Sequence, residues 1–187
     1  MPTKRTPLYE NCLEQKGRMV SFSGWEMPVQ FSGLINEHKA VRNKAGIFDI
    51  SHMGVLKIQG LNPKDSLQGL VPTDLHRIGP GEACYTVLLN ENGGIIDDLI
   101  IYELEPNSSN ETSLLVIINA ACSEKDTNWL KQHLEPKGLV ISDEKLDGVL
   151  LAIQGPRASQ MLEKICCQSL ALIPRFGHQR IYIENII

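Results

Sequence analysis

Apolar positions along the chain recur with two different periods, and turn residues separate the segments. Helical spacing and helix-ending glycines predict helices over residues 8–16, 35–44, 63–70, 123–135 and 157–166. Apolar runs bounded by glycine, proline and asparagine predict strands over residues 19–22, 47–60 with a break near Gly54, 82–89, 95–104, 114–119, 139–143, 149–154 and 181–187. Residues 1–7 are expected to be a loose arm, 24–29 an irregular segment and 105–112 a polar loop.

The order of these segments indicates the fold class. Hairpins alternate irregularly with helices, which is typical of an α+β fold with mainly antiparallel sheets and packed helices. A regular βαβ series is not present. The last predicted strand, 181–187, is apolar and has no turn after it, so we expect its partner strand to lie outside this chain.

One segment combines a turn with two acids. Asn92, Gly93 and Gly94 predict a tight turn that accommodates positive φ, and Asp97 and Asp98 follow at the start of a strand. Neighbouring residues of a strand point to opposite faces, so one acid is expected to face inward and the other outward. A carboxylate that faces a concavity needs a partner or a function. A solvated strand start is an equally good interpretation of this segment alone.

Composition excludes several classes of protein. The chain has 187 residues, 42% of them hydrophobic and 21% charged, as in ordinary globular domains. A net charge of −4 without a basic run argues against nucleic acid as a partner. No apolar stretch approaches the roughly 20 residues of a membrane span, and no secretion signal is present. Five cysteines without a CxxC pair indicate free thiols and a cytoplasmic location.

Other reactive residue types form weaker patterns. Asp49, Ser51 and His52 include the residue types of a hydrolase triad, but side chains of adjacent strand residues diverge. The spacing of His38 and His52 does not match a zinc site, and no metal site is predicted. From these residues alone the prediction is an α+β domain with an acid-lined pocket as its candidate site.

Several motifs occur together in a fixed order, and the set is more specific than any member. They are Thr6–Tyr9, Phe22–Gln30, Glu37–Arg42, Gly46–Gly54, Gly93–Ile100, Asn119–Ala121, Glu124–Asp126 and Gln154–Pro156. In this order they strongly resemble the T protein of the glycine cleavage system, a tetrahydrofolate-dependent aminomethyltransferase. The resemblance covers essentially the whole chain and implies the fold of that family's folate-binding region.

The resemblance also implies an activity. Members of the family take an aminomethyl group from the lipoyl arm of the H protein, release ammonia and transfer the one-carbon unit to tetrahydrofolate. The family's catalytic aspartate falls on Asp97, and Asp98 is then expected to face away from the pocket. Tyr85 and Asn119 fall where the family lines its folate pocket.

Length is the main departure from the family. Its members are about twice as long, and after the position of Tyr182 they continue into a Gly-Tyr-Thr-Gly-Glu-Asp-Gly segment whose glutamate holds the pterin. Residues 1–187 are therefore expected to be the N-terminal part of the folate-binding region, without the C-terminal barrel domain. A separate C-terminal polypeptide is one expected partner. The alternatives are a non-catalytic folate-binding or regulatory module and an inert gene fragment.

Overall fold

A computed structural model describes residues 3–109, 111–145 and 148–183. The strands are β1 Lys4–Arg5, β2 Arg18–Phe22, β3 Trp25–Gln30, β4 Gly46–Asp49, β5 Gly54–Gln59, β6 Ala83–Leu89, β7 Ile95–Leu104, β8 Ser113–Ile118, β9 Val140–Asp143 and β10 Leu151–Gln154. The α-helices are α1 Tyr9–Glu14, α2 Leu34–Asn43, α3 Pro63–Gln68, α4 Ser123–Leu134 and α5 Ala158–Cys166. Short 3-10 helices span Leu75–Arg77 and Glu135–Lys137.

The chain divides into two compact units. The first contains Met1–His52, Gly148–Ile173 and Arg180–Ile187, and the second contains Met53–Asp147 and Pro174–Gln179. In the first unit β1, β3 and β2 form a three-stranded sheet in that order, and β4 pairs with β10. Helices α1, α2 and α5 belong to this unit.

The second unit is built on a five-stranded antiparallel sheet in the order β6-β7-β8-β5-β9. Alternate residues of the central strands face a hydrophobic core, as the period of two requires. Helices α3 and α4 contribute Leu67, Leu130 and Leu134 to the same core, and all three side chains are fully buried. Core residues from the sheet include Leu56, Ile58, Leu88, Leu99, Ile101, Leu114, Val116 and Ile118.

Strand β7 has a core-facing row that begins and ends with an acid. Leu99 and Ile101 are buried in the middle of the row, and the alternation puts Asp97 and Glu103 on the same face. Glu103 forms an ion pair with Lys64 of α3, which satisfies the charge at that end of the row.

The turn before β7 has the predicted chemistry. Gly93 has φ +76°, a conformation that glycine adopts without strain. The Asn90 side-chain oxygen accepts hydrogen bonds from the backbone N–H groups of Asn92 and Gly94, at 3.0 and 2.8 Å. These bonds close the hairpin and fix where β7 starts.

The fold has the expected α+β class, and the order of elements follows the sequence prediction closely. Only β1 and β3 pair in parallel among the described strands, so the sheets are mainly antiparallel as expected. The expected strand break near Gly54 is confirmed, because β4 ends at Asp49 and β5 begins at Gly54. A side chain at Gly54 would have to share the space of Ile118, whose Cγ1 lies 2.5 Å from where a Cβ would stand.

Three local predictions were wrong. The segment expected to be irregular is strand β3, and Lys4–Arg5 of the expected loose arm pairs with it. Residues 181–183 are not in a strand, while 184–187 of that prediction lie outside the described residues.

The core of the second unit should respond strongly to truncation of Leu67. We expect Leu67→Ala to lower the free energy of unfolding by about 2–5 kcal/mol, because it removes a buried side chain and leaves a cavity. Leu61→Ala is the matched control, since Leu61 is 82% exposed and its truncation should change the value by less than about 0.5 kcal/mol. Urea denaturation of the wild-type chain and the two variants measures both values. Similar losses for the two variants would contradict the assignment of Leu67 to the core.

Candidate active site

The predicted acids lie next to an irregularity in the sheet. The pairing of β6 with β7 shifts its register between Leu88 and Leu89, so that Leu88 pairs with Asp97 and Leu89 pairs with Ile95. Ile96 is the extra residue of this β-bulge. A bulge re-aims the side chains that follow it, and Asp97 is the first of these. Asp97 then shares the face of buried Leu99, and Asp98 takes the opposite face, as the sequence predicted.

Asn119 connects the two acids. It directly follows β8, whose last residue Ile118 pairs with Leu99. Its side-chain Nδ2 lies 3.1 Å from Asp97 Oδ1, 3.2 Å from Asp98 Oδ1 and 3.1 Å from the Asp98 backbone oxygen. One amide group with two hydrogens therefore serves three acceptors at the end of the sheet.

Tyr85 lies on the Asp98 side of this network. Its hydroxyl donates a hydrogen bond of 3.0 Å to Asp98 Oδ2, and its side chain is 57% exposed. That hydrogen bond, together with the charge of Asp98, raises the pKa of Tyr85. An exposed aromatic ring next to fixed carboxylates has the form of a stacking surface with polar contacts at its edge.

On the core side, Asp97 faces another acid. Asp126 lies in the first turn of α4 and is 0% exposed, and one of its carboxyl oxygens lies within 4.8 Å of a carboxyl oxygen of Asp97. Burial raises the pKa of Asp126 to about 7, and the adjacent Asp97 carboxylate contributes to this rise. Asp126 is therefore about half protonated at pH 7 and largely protonated below it, and its protonated form can donate a hydrogen bond.

Asp97 shifts in the opposite direction. Burial by itself raises the pKa of Asp97, but hydrogen bonds from Asp126, from Asn119 and from the Asp98 backbone outweigh it and hold the pKa below its ordinary value. The charge of Lys125 acts in the same direction. Asp97 is therefore a carboxylate at neutral pH, stabilised by donors on two sides.

The first turn of α4 is fastened to the start of β7. Lys125 Nζ donates a 2.9 Å hydrogen bond to the backbone oxygen of Ile96, the bulge residue. The Cys122 sulfur lies within 4.8 Å of carboxyl oxygens of Asp97 and Asp126. Among the described residues no further His, Cys, Asp or Glu joins this group, and we assign no metal to it.

Comparison with known proteins identifies the family. A family model described as the GCVT N-terminal domain matches residues 8–186. The chain belongs to this family. The resemblance of the motifs to the glycine cleavage T protein is thereby confirmed.

Curated relatives of this GCVT N-terminal domain are named aminomethyltransferase. One from Prochlorococcus marinus (strain MIT 9303) is 63% identical over 186 residues, which is 100% of this chain and 50% of the relative. Another from Synechococcus sp. (strain CC9311) is 63% identical over 183 residues, or 97% of this chain and 50% of the relative. The chain thus spans about half the length of the curated relatives that it matches.

A solved structure supports the same assignment of fold. The crystal structure of the glycine cleavage system aminomethyltransferase T from Bartonella henselae matches with a TM-score of 0.84 and 31% sequence identity. The match covers 94% of this chain and 46% of the Bartonella chain. The expected truncated α+β fold of the T-protein family is therefore confirmed. None of the helices among the described residues has the length and apolar character needed to cross a membrane.

The structure of this family member brings together the three site residues that the sequence indicated. Asn119 donates hydrogen bonds to the carboxyl groups of Asp97 and Asp98, and Tyr85 donates one to Asp98. Asp97, Asn119 and Tyr85 therefore belong to one hydrogen-bond network. Asp98 points to the opposite face of the strand from Asp97, but Asn119 lies at the strand end and contacts both carboxyl groups. The catalytic and folate-binding roles of the three residues stay predictions.

Sequence reasoning missed Asp126 as a site residue. It entered the sequence analysis only as the last residue of the Glu124–Asp126 motif. The available signal is the spacing of Asp126, Leu130 and Leu134, which recur every four residues along one helical face. An acid in the position of a core residue is unusual enough to suggest a buried partner.

Two other places in the GCVT N-terminal domain were considered. The oxygens of Asp49 accept hydrogen bonds from the Thr6 hydroxyl and the Ser51 backbone, and the Ser51 hydroxyl bonds to the backbone of Leu150, so these side chains are structural. The first unit also has an open, mainly apolar cavity of about 670 Å³. None of Asp97, Asn119 and Tyr85 lines it.

The hydrogen bonds of Asn119 should control the titration of Asp97. We expect Asn119→Ala to raise the pKa of Asp97, because a donor to its charged form is lost. Stability above about pH 4 should fall by about 1–3 kcal/mol, since a depressed carboxyl pKa stabilises the fold only where the group is ionised. Carboxyl-carbon NMR titration and urea denaturation measure the two effects. Asn92→Ala in the exposed turn is the control, and an unchanged Asp97 titration in Asn119→Ala would disprove the assignment.

Proposed function

We propose that this chain is the N-terminal half of a tetrahydrofolate-dependent aminomethyltransferase of the glycine cleavage system. The donor is the aminomethyl group on the lipoyl arm of the H protein, and the acceptor is tetrahydrofolate. The single observation that carries the proposal is the carboxylate of Asp97, kept ionised at the end of a sheet in a member of the T-protein family.

The charge of Asp97 suits the chemistry of this transfer. Two folate nitrogens replace the lipoyl sulfur and the amino nitrogen on the aminomethyl carbon. Positive charge develops on that carbon, and the protons of the two folate N–H groups pass to the departing thiol and ammonia. A fixed carboxylate stabilises that charge electrostatically. Its pKa is held low by hydrogen bonds, which makes it a weak base, so the electrostatic role is the larger of the two that we assign to it.

Tyr85 and Asn119 have supporting roles in this proposal. The exposed ring of Tyr85 offers one stacking wall for a flat heteroaromatic ligand. Asn119 holds Asp97 and Asp98 by hydrogen bonds of 3.1 and 3.2 Å and so fixes the spacing of the two carboxyl groups. This fixed spacing is the kind of preorganisation that electrostatic catalysis requires.

The proposed enzyme needs more than this chain. Because the chain spans about half of its relatives, we propose that residues 1–187 are the N-terminal part of the folate-binding region and that a C-terminal half like that of the relatives is needed to complete the site. The proposed location is the cytoplasm. The five cysteines are free within the described residues, in agreement with a reducing compartment.

The isolated chain is expected to bind tetrahydrofolate weakly or not at all. The family resemblance puts part of the polar groups that hold the pterin in the other half, and each charged hydrogen bond contributes roughly 1.5–3 kcal/mol. Losing two or three of them weakens binding by a few orders of magnitude. Calorimetry of the chain with tetrahydrofolate measures this, and a dissociation constant in the low micromolar range or below would contradict the expectation.

Asp97 is expected to matter more for the reaction than Asp98. Asp97→Asn keeps the shape of the side chain but removes its charge, so formation of methylenetetrahydrofolate should slow by about 10²-fold or more. Asp98→Asn is the matched control, because it makes the same change one residue along β7 and should have a much smaller effect. The assay uses aminomethylated H protein, with the C-terminal half of a relative supplied as a second polypeptide or by fusion.

The outcomes of this assay separate the alternatives. Equal losses of rate in the two variants, or a larger loss in Asp98→Asn, would show that the catalytic role of Asp97 is wrongly assigned. A completed protein that binds tetrahydrofolate without transfer would be a non-catalytic folate-binding module. A broad, non-cooperative unfolding transition of the chain would instead indicate an inert gene fragment.

A further inference from the structure

The two acids on the core-facing row of β7 have opposite kinds of partner. Glu103 faces the ammonium group of Lys64, so its negative charge is matched by a positive one. Asp97 faces the carboxyl group of Asp126, which is completely buried. One end of the row is thus an ion pair and the other is a pair of acids.

Three of the four carboxyl oxygens of this acid pair accept no hydrogen bond from another group among the described residues. Asp97 Oδ2 and both carboxyl oxygens of Asp126 are buried, and within the described residues no N–H or O–H group donates to them. Two ionised carboxylates in such a place would repel each other without compensation. A single proton shared by the pair converts one oxygen into a donor and removes the repulsion.

The charged and titratable groups around Asp126 do not replace that proton. Lys125 Nζ lies 4.0 Å from Asp126 Oδ1, but it is bonded to the Ile96 backbone oxygen and its side chain is 55% exposed. Asp98 adds further negative charge from β7. Cys122, at the start of the helix, is a thiol near both carboxyl groups.

We propose that Asp126 is a positioning residue that carries the one proton of this pair and donates it as a hydrogen bond to the buried Oδ2 of Asp97. The geometry leaves the other oxygen of Asp97, Oδ1, to Asn119 and the end of the sheet. Asp97 then remains a carboxylate in a fixed orientation, as the proposed function requires of it. The catalytic meaning of the pair rests on that proposed function, whereas the shared proton does not.

The directions of the two pKa values agree with this assignment. Burial raises the pKa of Asp126 to about 7, while the hydrogen bond from Asp126 helps to lower the pKa of Asp97. These are the two effects of one proton that stays on Asp126. Because the two groups interact strongly, they titrate as a pair, with the second proton leaving near pH 7.

The proposal predicts how stability depends on pH. Folded Asp126 binds its proton more tightly than the unfolded chain, in which the carboxyl group has an ordinary pKa of about 3.9. The contribution of Asp126 to the free energy of unfolding is therefore largest at low pH. It falls as the pH rises from about 4 to about 7 and is constant above that. Between about pH 4 and about pH 7, Asp126 therefore increases the unfolding equilibrium constant by up to about tenfold for each pH unit.

Urea denaturation of this chain between pH 4 and pH 8 is the first test. Asp126→Asn keeps an N–H donor toward Asp97 but cannot titrate. Between pH 4 and pH 7 the unfolding equilibrium constant of this variant should therefore rise less steeply than that of the wild-type chain, by a factor of up to about ten per pH unit. Glu124→Gln is the matched control, since it removes one charge from an exposed position in the same helical turn and should keep the wild-type slope. Equal slopes for Asp126→Asn and the wild-type chain would overturn the proposal.

NMR titration of aspartate carboxyl carbons is the second test. Its first measurement uses the wild-type chain and so does not depend on whether a variant folds. We expect one aspartate, assigned to Asp126, to titrate near pH 7. In Asp126→Ala the pKa of Asp97 should rise because its donor is lost, whereas in Asp126→Asn it should stay low. Titration of Asp126 near pH 4 would refute the shared proton. Neither test contains folate, so a failure here is distinguishable from a failure of the proposed transfer reaction.

Discussion

A carboxylate that points into a hydrophobic core must be given a partner, and strand β7 has this requirement at both ends of its core-facing row. Glu103 is matched by Lys64 from α3, and Asp97 is matched by the buried acid Asp126 from α4. Both helices that cover the sheet therefore carry a polar residue aimed at β7 in addition to their leucines. The apolar contacts supply most of the stability, and these polar pairs specify where each helix meets the strand.

The nature of each pair has consequences for chemistry. An ion pair such as Lys64 with Glu103 has both charges satisfied and serves the fold. A pair of acids keeps one negative charge in a half-buried place, and hydrogen bonds from Asn119 and Asp126 stabilise it there. That charge is preorganised before any ligand arrives, which is the condition under which electrostatic stabilisation of a developing cation is most effective. The proposed role of Asp97 in one-carbon transfer follows from this arrangement.

Most of the elements could be predicted because their hydrophobic periods are clear, and the exceptions have physical causes. Strand β3 contains Pro28, which normally argues against a strand. It is tolerated because β1 pairs only with Trp25 and Glu26, so among the described strands β2 alone pairs with Pro28. Helix α4 begins at Ser123 as predicted, and because it has no side-chain cap bond its first turn is held to β7 through Lys125.

The sequence by itself determined the α+β class, the turn at Gly93, the opposite faces of Asp97 and Asp98, and the family motifs, since all of these depend on local chemistry or on residue order. Only the tertiary structure decided that Asp126 faces Asp97 and that Asn119 reaches both strand faces. Asp126 lies 29 positions beyond Asp97 and Asn119 lies 22 beyond it, and these contacts arise from the packing of α4 on the sheet and the ending of β8. The helical period of α4 indicates that Asp126 is buried, but no period or local motif encodes which residue it faces, and that contact helps to set the two pKa values.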